Sequence, residues 1–502
     1  MIKKRQTFFN TFLASVQVLV VGGSVVFLYR FLLDQLGAEQ LGLWSVVVST
    51  TSLTGIVNLG LGGGLVKFVA QYIAQEKHSE ISLLIETTFV SLAIILGVGL
   101  GFLYLIINWL LGKLVPVTEL QIALKLVPWT MSAFWLSTMG QTFQATLDGY
   151  QRIDIRSIFL IINNLLYLFA CFALVQSFGI MGLGYAFFLR GTLSLLVSRI
   201  LIVRMVPDLA WFPRHWSYKI FKETLAYGVN FQIISVLVLM LDPMTKGLLT
   251  HFGGLSATGY YEMAYRMVIQ FREILIAANS VVTPIVADLH EKSATQIKYL
   301  YEVSFKLVLF ITLPFYTLIA IMTPIISRLW IGHYEPAFQV FATILAVSYA
   351  VNTLSAPAYF ANLGTGHLSG NVSSHLIMAI LNLVLGYLFG SIWGSYGIVL
   401  GVSISLIAGS VYLMFSFSIK EKVPFQRLVS KGDIALFASN LLVVVIANSH
   451  YLTSITSTAS VIFTIGVLSC LFICITGLFI WRHSMRPQIQ SMISFAFSNR
   501  LI

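Results

Sequence analysis

Fourteen apolar stretches divide this chain, and no segment between them is long enough to form a water-soluble domain. They fall at 8–33, 41–66, 81–112, 120–146, 157–178 and 183–203, then at 223–250, 257–285, 300–328, 337–362, 370–389 and 397–417, with two more at 433–449 and 458–480. As α-helices they can span a hydrocarbon core of about 30 Å. Only 10% of the 502 residues are charged and 58% are hydrophobic, against about 25% charged in a soluble protein. So little polar surface cannot cover a globule of this size, so the bilayer is the solvent for most of the chain. The expected fold class is an all-α integral membrane protein of fourteen transmembrane helices. The run 8–33 exceeds a signal h-region of about 7–15 residues and reads as a retained first helix.

The second half repeats the first at an offset of about 216 residues, in the register of membrane-bundle duplications. Arg30-Phe31-Leu32-Leu33 recurs as Lys246-Gly247-Leu248-Leu249, and Gly37 and Gly42 recur as Gly253 and Gly259 with a one-residue slip. Glu76-Lys77 recurs as Glu291-Lys292, Glu86 and Phe89 as Glu302 and Phe305, and Gly179-x-x-Gly182 as Gly394-x-x-Gly397. Each copy holds six spans. Six is even, so both copies insert in one orientation, as parallel repeats about an axis along the membrane normal. The expected division is a six-helix lobe at 1–203, a basic linker at 204–222, a second six-helix lobe at 223–417, two additional helices within 433–480, and a tail at 481–502.

The basic residues assign orientation. With both termini cytoplasmic, the inner segments hold Lys3, Lys4, Arg5, Arg152, Arg156, Arg204, Arg214, Lys219, Lys222, Lys420, Lys422, Arg427 and Arg482, while the outer loops hold Lys113 and little else. That asymmetry is the positive-inside pattern. It fixes both termini inside and explains the net charge of +11 without nucleic acid; the expected location is the cytoplasmic (inner) membrane. Cys171, Cys470 and Cys474 lie in apolar stretches and read as small packing residues, with no disulfide framework and no metal set. The run Leu59-Gly60-Leu61-Gly62-Gly63-Gly64 lacks the strand that a phosphate-cradling loop needs, and reads as a packed end of the second span.

Ionisable residues inside spans are costly and face a cavity or one another. The cations are Arg30 in helix 1, Arg190 in helix 6, Lys246 in helix 7, and Arg266 and Arg272 in helix 8. The acids among them are Asp242, Glu262 and Glu273. Glu262, Arg266, Gln270 and Glu273 follow helical spacing and form one polar stripe, which should line a cavity. Asp242–Lys246 and Glu262–Arg266 also have the spacing of intrahelical ion pairs, so mutual neutralisation is the competing reading. For Arg30 the competing reading is an interfacial side chain reaching toward water. Glu86 and Glu302 read as structural partners of loop cations or helix ends. Cations outnumber acids in this set, which suits an anionic ligand. Arginine's planar fork suits phosphate.

Fourteen spans in a 6+6+2 layout resemble the polysaccharide flippase branch of the multidrug/oligosaccharidyl-lipid/polysaccharide exporter superfamily. Leu36-Gly-Ala-Glu-Gln-Leu-Gly-Leu-Trp44, Leu147-Asp-Gly-Tyr-Gln-Arg152, Leu363-Gly-Thr-Gly366 and the two Gly-x-x-Gly turns are similar to the short turns of that branch. The resemblance implies two six-helix lobes forming a V around a cavity that opens alternately to each side. It implies an oligosaccharide substrate on a polyprenyl (pyro)phosphate carrier. It also implies cavity cations, which here would be Arg30, Lys246, Arg266, Arg272 and Arg190. The related peptidoglycan-precursor flippase keeps a basic residue in helix 2; this chain has none there, which points to another surface glycan.

The expected function is therefore an alternating-access flippase for surface polysaccharide biosynthesis. It would work as a monomer in membrane lipid, without covalent chemistry, cofactor or metal. Asp242, Glu262 and Glu273 are the candidates for coupling to H+ or Na+. The alternatives are a multidrug cation antiporter of the same superfamily and a membrane glycan polymerase or ligase. The first predicts an acidic cavity and usually twelve spans. The second generally needs a large outer loop, which this chain lacks.

Overall fold

A computed structural model describes residues 4–58, 61–206, 209–279, 282, 286, 294–429, 431–447, 466–467, 469–470 and 472–473. Expectations that fall on Leu59 and Gly60, on Glu291 and Lys292, on Cys474, on most of the span 458–480 and on the tail 481–502 lie outside the described residues. Every regular element among the described residues is helical. The principal helices are α1 (Lys4–Ser52), α2 (Leu61–Ala74), α3 (His78–Leu114), α4 (Val117–Gly149), α5 (Ile153–Phe178), α6 (Ile180–Met205), α7 (Tyr218–Asn279), α8 (Ala294–Ile326), α9 (Pro336–Leu354), α10 (Ala356–Thr365), α11 (Ser369–Lys420), α12 (Phe425–Leu428) and α13 (Lys431–Ala447). Seven of the described helices are long and apolar enough to cross a membrane.

The surface chemistry is that of a protein in lipid. On α3, Ile94, Val98, Phe102, Leu105 and Trp109 form a stripe at helical spacing, each between 61% and 73% exposed. Ile158, Ile162, Leu166 and Phe169 form a second exposed stripe on α5. Water would oppose such continuous apolar faces. The interior carries much of the polarity instead: α4 and α6 pack through small and hydroxyl residues. Gly140 abuts Ser194, Gly191 abuts Ala133, and Gln144 donates to Ser194 at 3.1 Å. Small residues let helix backbones approach where lipid offers no hydrophobic drive.

The chain forms two compact units. Unit 1 comprises Met1–Glu262 with Gly390–Ser395, and unit 2 comprises Met263–Phe389 with Tyr396–Ile502. In unit 1 a core around Leu65, Val69, Leu84, Phe143, Leu147 and Ile202 joins α2, α3, α4 and α6. In unit 2 a core around Ile297, Tyr301, Phe305, Ala358, Leu413 and Phe417 joins α8, α10 and α11.

Several spans differ from their expected form. Helices 1 and 2 were expected as separate runs, and α1 is two helices that meet at the non-helical Gly37 (φ 78°, ψ 169°) with no loop between them. α7 has 62 residues and, if straight, would be about 93 Å long, roughly three times the hydrocarbon core. It is broken at Gly254, φ 79°, ψ 173°. Those matched angles make Gly254, and not Gly253 as the slipped alignment expected, the counterpart of Gly37. Gly179 (φ 57°, ψ −140°) and Gly394 (φ 59°, ψ −138°) form a second matched pair. Left-handed positions like these strain any residue with a Cβ. The second expected span, 41–66, is not continuous: α1 ends at Ser52, a 3₁₀ turn covers Leu53–Asn58, and α2 begins at Leu61. The described glycines of the Gly62–Gly64 run therefore lie at the start of α2, not at the end of a span. The expected span 337–362 is likewise split, with Ser355 between α9 and α10.

Candidate functional site

The kink glycines decide which side chains meet in unit 1. Tyr29 and Ser45 stand eight residues before and eight after Gly37; Lys246 and Glu262 stand eight before and eight after Gly254. Sixteen residues of straight helix would hold each pair about 24 Å apart. Folding back at the glycines brings Tyr29, Ser45 and Lys246 onto the carboxylate of Glu262. Tyr29 donates its hydroxyl to Glu262 Oε1 at 2.8 Å, and Ser45 donates to Oε2 at 2.9 Å. Lys246 Nζ lies 2.7 Å from Oε2 and also reaches Asp242 Oδ2 at 2.8 Å. Lys246 and Glu262 are nearly sealed, at 1% and 2% exposed, whereas Asp242 is 34% exposed. Burying an ionised pair is costly unless further hydrogen bonds complete it, and the two hydroxyls supply such bonds.

Backbone packing holds the two folded helices together beside this cluster. A Cβ on Gly42 would overlap the carbonyl oxygen of Leu255, and one on Gly259 would overlap that of Ala38. Each glycine lies five residues past its own kink and rests on the residue just past the other kink. The contact is reciprocal, and it requires glycine on both sides.

In unit 2 the centre of polar organisation is Arg272. Its Nε donates to Asn352 Oδ1 at 2.8 Å, and Asn352 in turn donates to Ser410 at 2.9 Å. Its Nη1 lies 3.3 Å from Glu273. Three segments of the fold thus set the guanidinium plane: the end of α7, α9 and α11. Tyr316 and Thr353 share a hydrogen bond of 3.4 Å.

The remaining expected residues are distributed more widely. Arg30 pairs with Asp34 at 2.9 Å, both partly exposed. Arg190 on α6 stacks over the ring of Tyr167, 5.0 Å from its centroid. Along α7, Glu262 is buried, Arg266 and Gln270 are half-buried and Glu273 is exposed. The polar stripe therefore grades from a sealed head to an exposed foot. Glu86, read as structural, is buried and accepts the backbone N–H groups of Arg214 and His215. Glu302 meets the loop cation Arg427 at 3.8 Å. Tyr29, Ser45, Asn352 and Ser410 escaped the sequence reading because they carry no charge. The eight-residue symmetry about Gly37 and Gly254 was the available signal for the first two. Among the described residues no cluster of histidine, cysteine and carboxylate side chains could hold a metal ion.

A family model described as "Polysaccharide biosynthesis protein" matches residues 36–335. A Shigella flexneri protein named "Putative O-antigen transporter" is 21% identical over 430 residues, covering 82% of this chain and 97% of its own length. Among solved structures, an inward-facing multidrug-resistance transporter of the MATE family, within the MOP superfamily, superposes with a TM-score of 0.71 at 15% identity, covering 81% of this chain and 94% of that one. The lipid II flippase MurJ in an inward closed conformation gives 0.70 at 16% identity, covering 95% and 99%. The fold is that of MOP-superfamily transporters.

Proposed function

The chain belongs to the polysaccharide biosynthesis protein family, as a multi-pass membrane transporter and not an enzyme, and from that premise we propose the cargo and the way it moves. The cargo is an oligosaccharide linked to a polyprenyl (pyro)phosphate. It crosses the cytoplasmic membrane by alternating access, without covalent chemistry, in a bundle of two parallel six-helix repeats plus two helices, with both termini inside. The matched kinks at Gly37 and Gly254, and at Gly179 and Gly394, support the duplication.

The observation that carries the phosphate assignment is Arg272. Its Nε edge is held by Asn352, and Asn352 by Ser410, so the fork is oriented before any ligand arrives. Preorganised guanidinium groups bind phosphate with little added ordering cost. Arg266, half-buried on the same helix, is assigned as its companion, with Arg30 and Arg190 as outlying cations. Lys246 stood among the phosphate-binding cations in the sequence reading. In this conformation two carboxylates already balance it, so it is assigned with Asp242 and Glu262 to ion coupling by H+ or Na+. Glu273, beside Arg272, sets that guanidinium's charge balance.

The test is replacement of Arg266 and Arg272 by alanine. Surface glycan should be lost, and lipid-linked glycan should accumulate on the cytoplasmic face, while membrane insertion stays normal. Full export by the double variant removes both arginines from the site.

A further inference from the structure

Residues 209–217, which lead from α6 into α7, take no part in the transport roles above, yet side chains of α3 and α6 hold them at several points. Arg199 donates to the carbonyl oxygens of Ala210 and Trp211, the latter at 2.9 Å. The buried carboxylate of Glu86 accepts from Arg214 N at 3.0 Å and His215 N at 2.8 Å. Thr87 accepts from Ser217 N at 3.1 Å, and Ser91 accepts from the indole N–H of Trp216 at 2.9 Å. Leu209 is buried in the core of α2, α3, α4 and α6. The segment is a strap stitched to α3 and α6, not a slack tether.

Its outer face has a specific chemistry. Trp211, Phe212, Trp216 and Tyr218 are all exposed, Phe212 by 74%. Between and beside them stand Arg214, His215, Lys219 and Lys222, also exposed. Glu223 is the one acid in 209–223. Trp216 lies 6.3 Å from Tyr218 and 5.9 Å from Phe221, so the rings form a patch. Exposed aromatic rings are unfavourable in water. Aromatics interleaved with cations are favoured where a bilayer changes from acyl chain to phosphate, because rings settle at headgroup depth and cations reach the anions.

We propose that residues 211–222 form a preorganised docking face for anionic phospholipid headgroups of the adjoining leaflet. The positive balance of the face supplies the charge complementarity, and the hydrogen bonds to Glu86, Thr87, Ser91 and Arg199 hold the segment against α3 and α6.

A nitroxide on F212C, in a background carrying C470S and C474S, tests this in lipid nanodiscs. With phosphatidylglycerol present, the label should collide with oxygen and be shielded from a water-soluble nickel chelate. Its depth should correspond to about 5–10 Å into the interface. In the R214Q/K219Q/K222Q variant the label should shift toward water, and phosphatidylglycerol retained in native mass spectrometry should fall by about fivefold per cation removed. A label open to the nickel chelate with phosphatidylglycerol present overturns the proposal. So does a label shielded from both reagents, which would mean contact with protein, or a triple variant with unchanged lipid retention.

Discussion

At the scale of single residues, the carboxylate of Glu262 shows how a charge survives burial. It receives an ammonium and two hydroxyls, while Asp242 gives that same ammonium a second, half-exposed partner. The arrangement is asymmetric, and the asymmetry is testable. K246M leaves Glu262 buried without its cation and should cost about 3–5 kcal/mol. E262Q keeps the Lys246–Asp242 pair and should cost about 1.5–3 kcal/mol, near the loss of one charged hydrogen bond. K246M/E262Q should recover most of the K246M loss, because the remaining carboxylate can hydrate. Thermal unfolding in detergent reads all three, and strictly additive losses would mean that the pair is not coupled.

Only part of this cluster was legible in the sequence. Asp242 and Lys246 announce themselves by charge at i, i+4 in an apolar run. Glu262 was placed on a stripe with Arg266, but its cation at 2.7 Å is Lys246, on the other limb of the folded helix. Local spacing does not encode that fold-back; one glycine does. Arg272 was visible as a charge, whereas Asn352 and Ser410, which aim it, look like ordinary polar residues of two distant spans.

At the scale of elements, hydropathy located the apolar runs but not how they join. A gap in hydropathy between spans suggests a loop, yet α1 and α7 keep hydrogen-bonded helix up to a single left-handed glycine. Hydropathy likewise misses the break after Ser52, because the residues on both sides are equally apolar.

The folded helices α1 and α7 also suggest how they can separate. Lys246, Asp242 and Glu262 all belong to α7, so parting from α1 leaves the ion pair intact. The hydroxyl donors Tyr29 and Ser45 are lost, at about 1.5–3 kcal/mol each for bonds to a charged group. Y29F/S45A should therefore favour the parted state, and a cysteine at Ala38 (A38C) should react faster with a water-soluble maleimide in that background. G42A should act in the same direction, because its Cβ overlaps the Leu255 carbonyl oxygen, an overpacking worth about 1–3 kcal/mol. G97A is the control: a Cβ there meets nothing within 4 Å. Equal reactivity in G42A and G97A would show that the reciprocal glycine contact does not govern separation.

At the scale of the whole molecule, fold and function separate. A multidrug transporter and a lipid II flippase superpose on this chain almost equally, with TM-scores of 0.71 and 0.70, so architecture cannot choose between a drug and a lipid-linked glycan. The choice rests on the family match and on the chemistry of the charged side chains. A cation extruder needs acidic residues open to its cargo. Here the buried acid Glu262 is occupied by Lys246, and the oriented half-buried group of unit 2 is an arginine. Deleting the chain should therefore leave sensitivity to cationic drugs unchanged and strand lipid-linked glycan on the cytoplasmic face. Restoring it as E262Q should return export that no longer responds to the proton or sodium gradient, if the proposed coupling role of Glu262 holds, while Arg272 remains. The two readouts are separable. Drug sensitivity in the deletion strain with normal surface glycan would replace the cargo, whereas gradient-dependent export by E262Q would keep the cargo and move the coupling to Asp242 or Glu273.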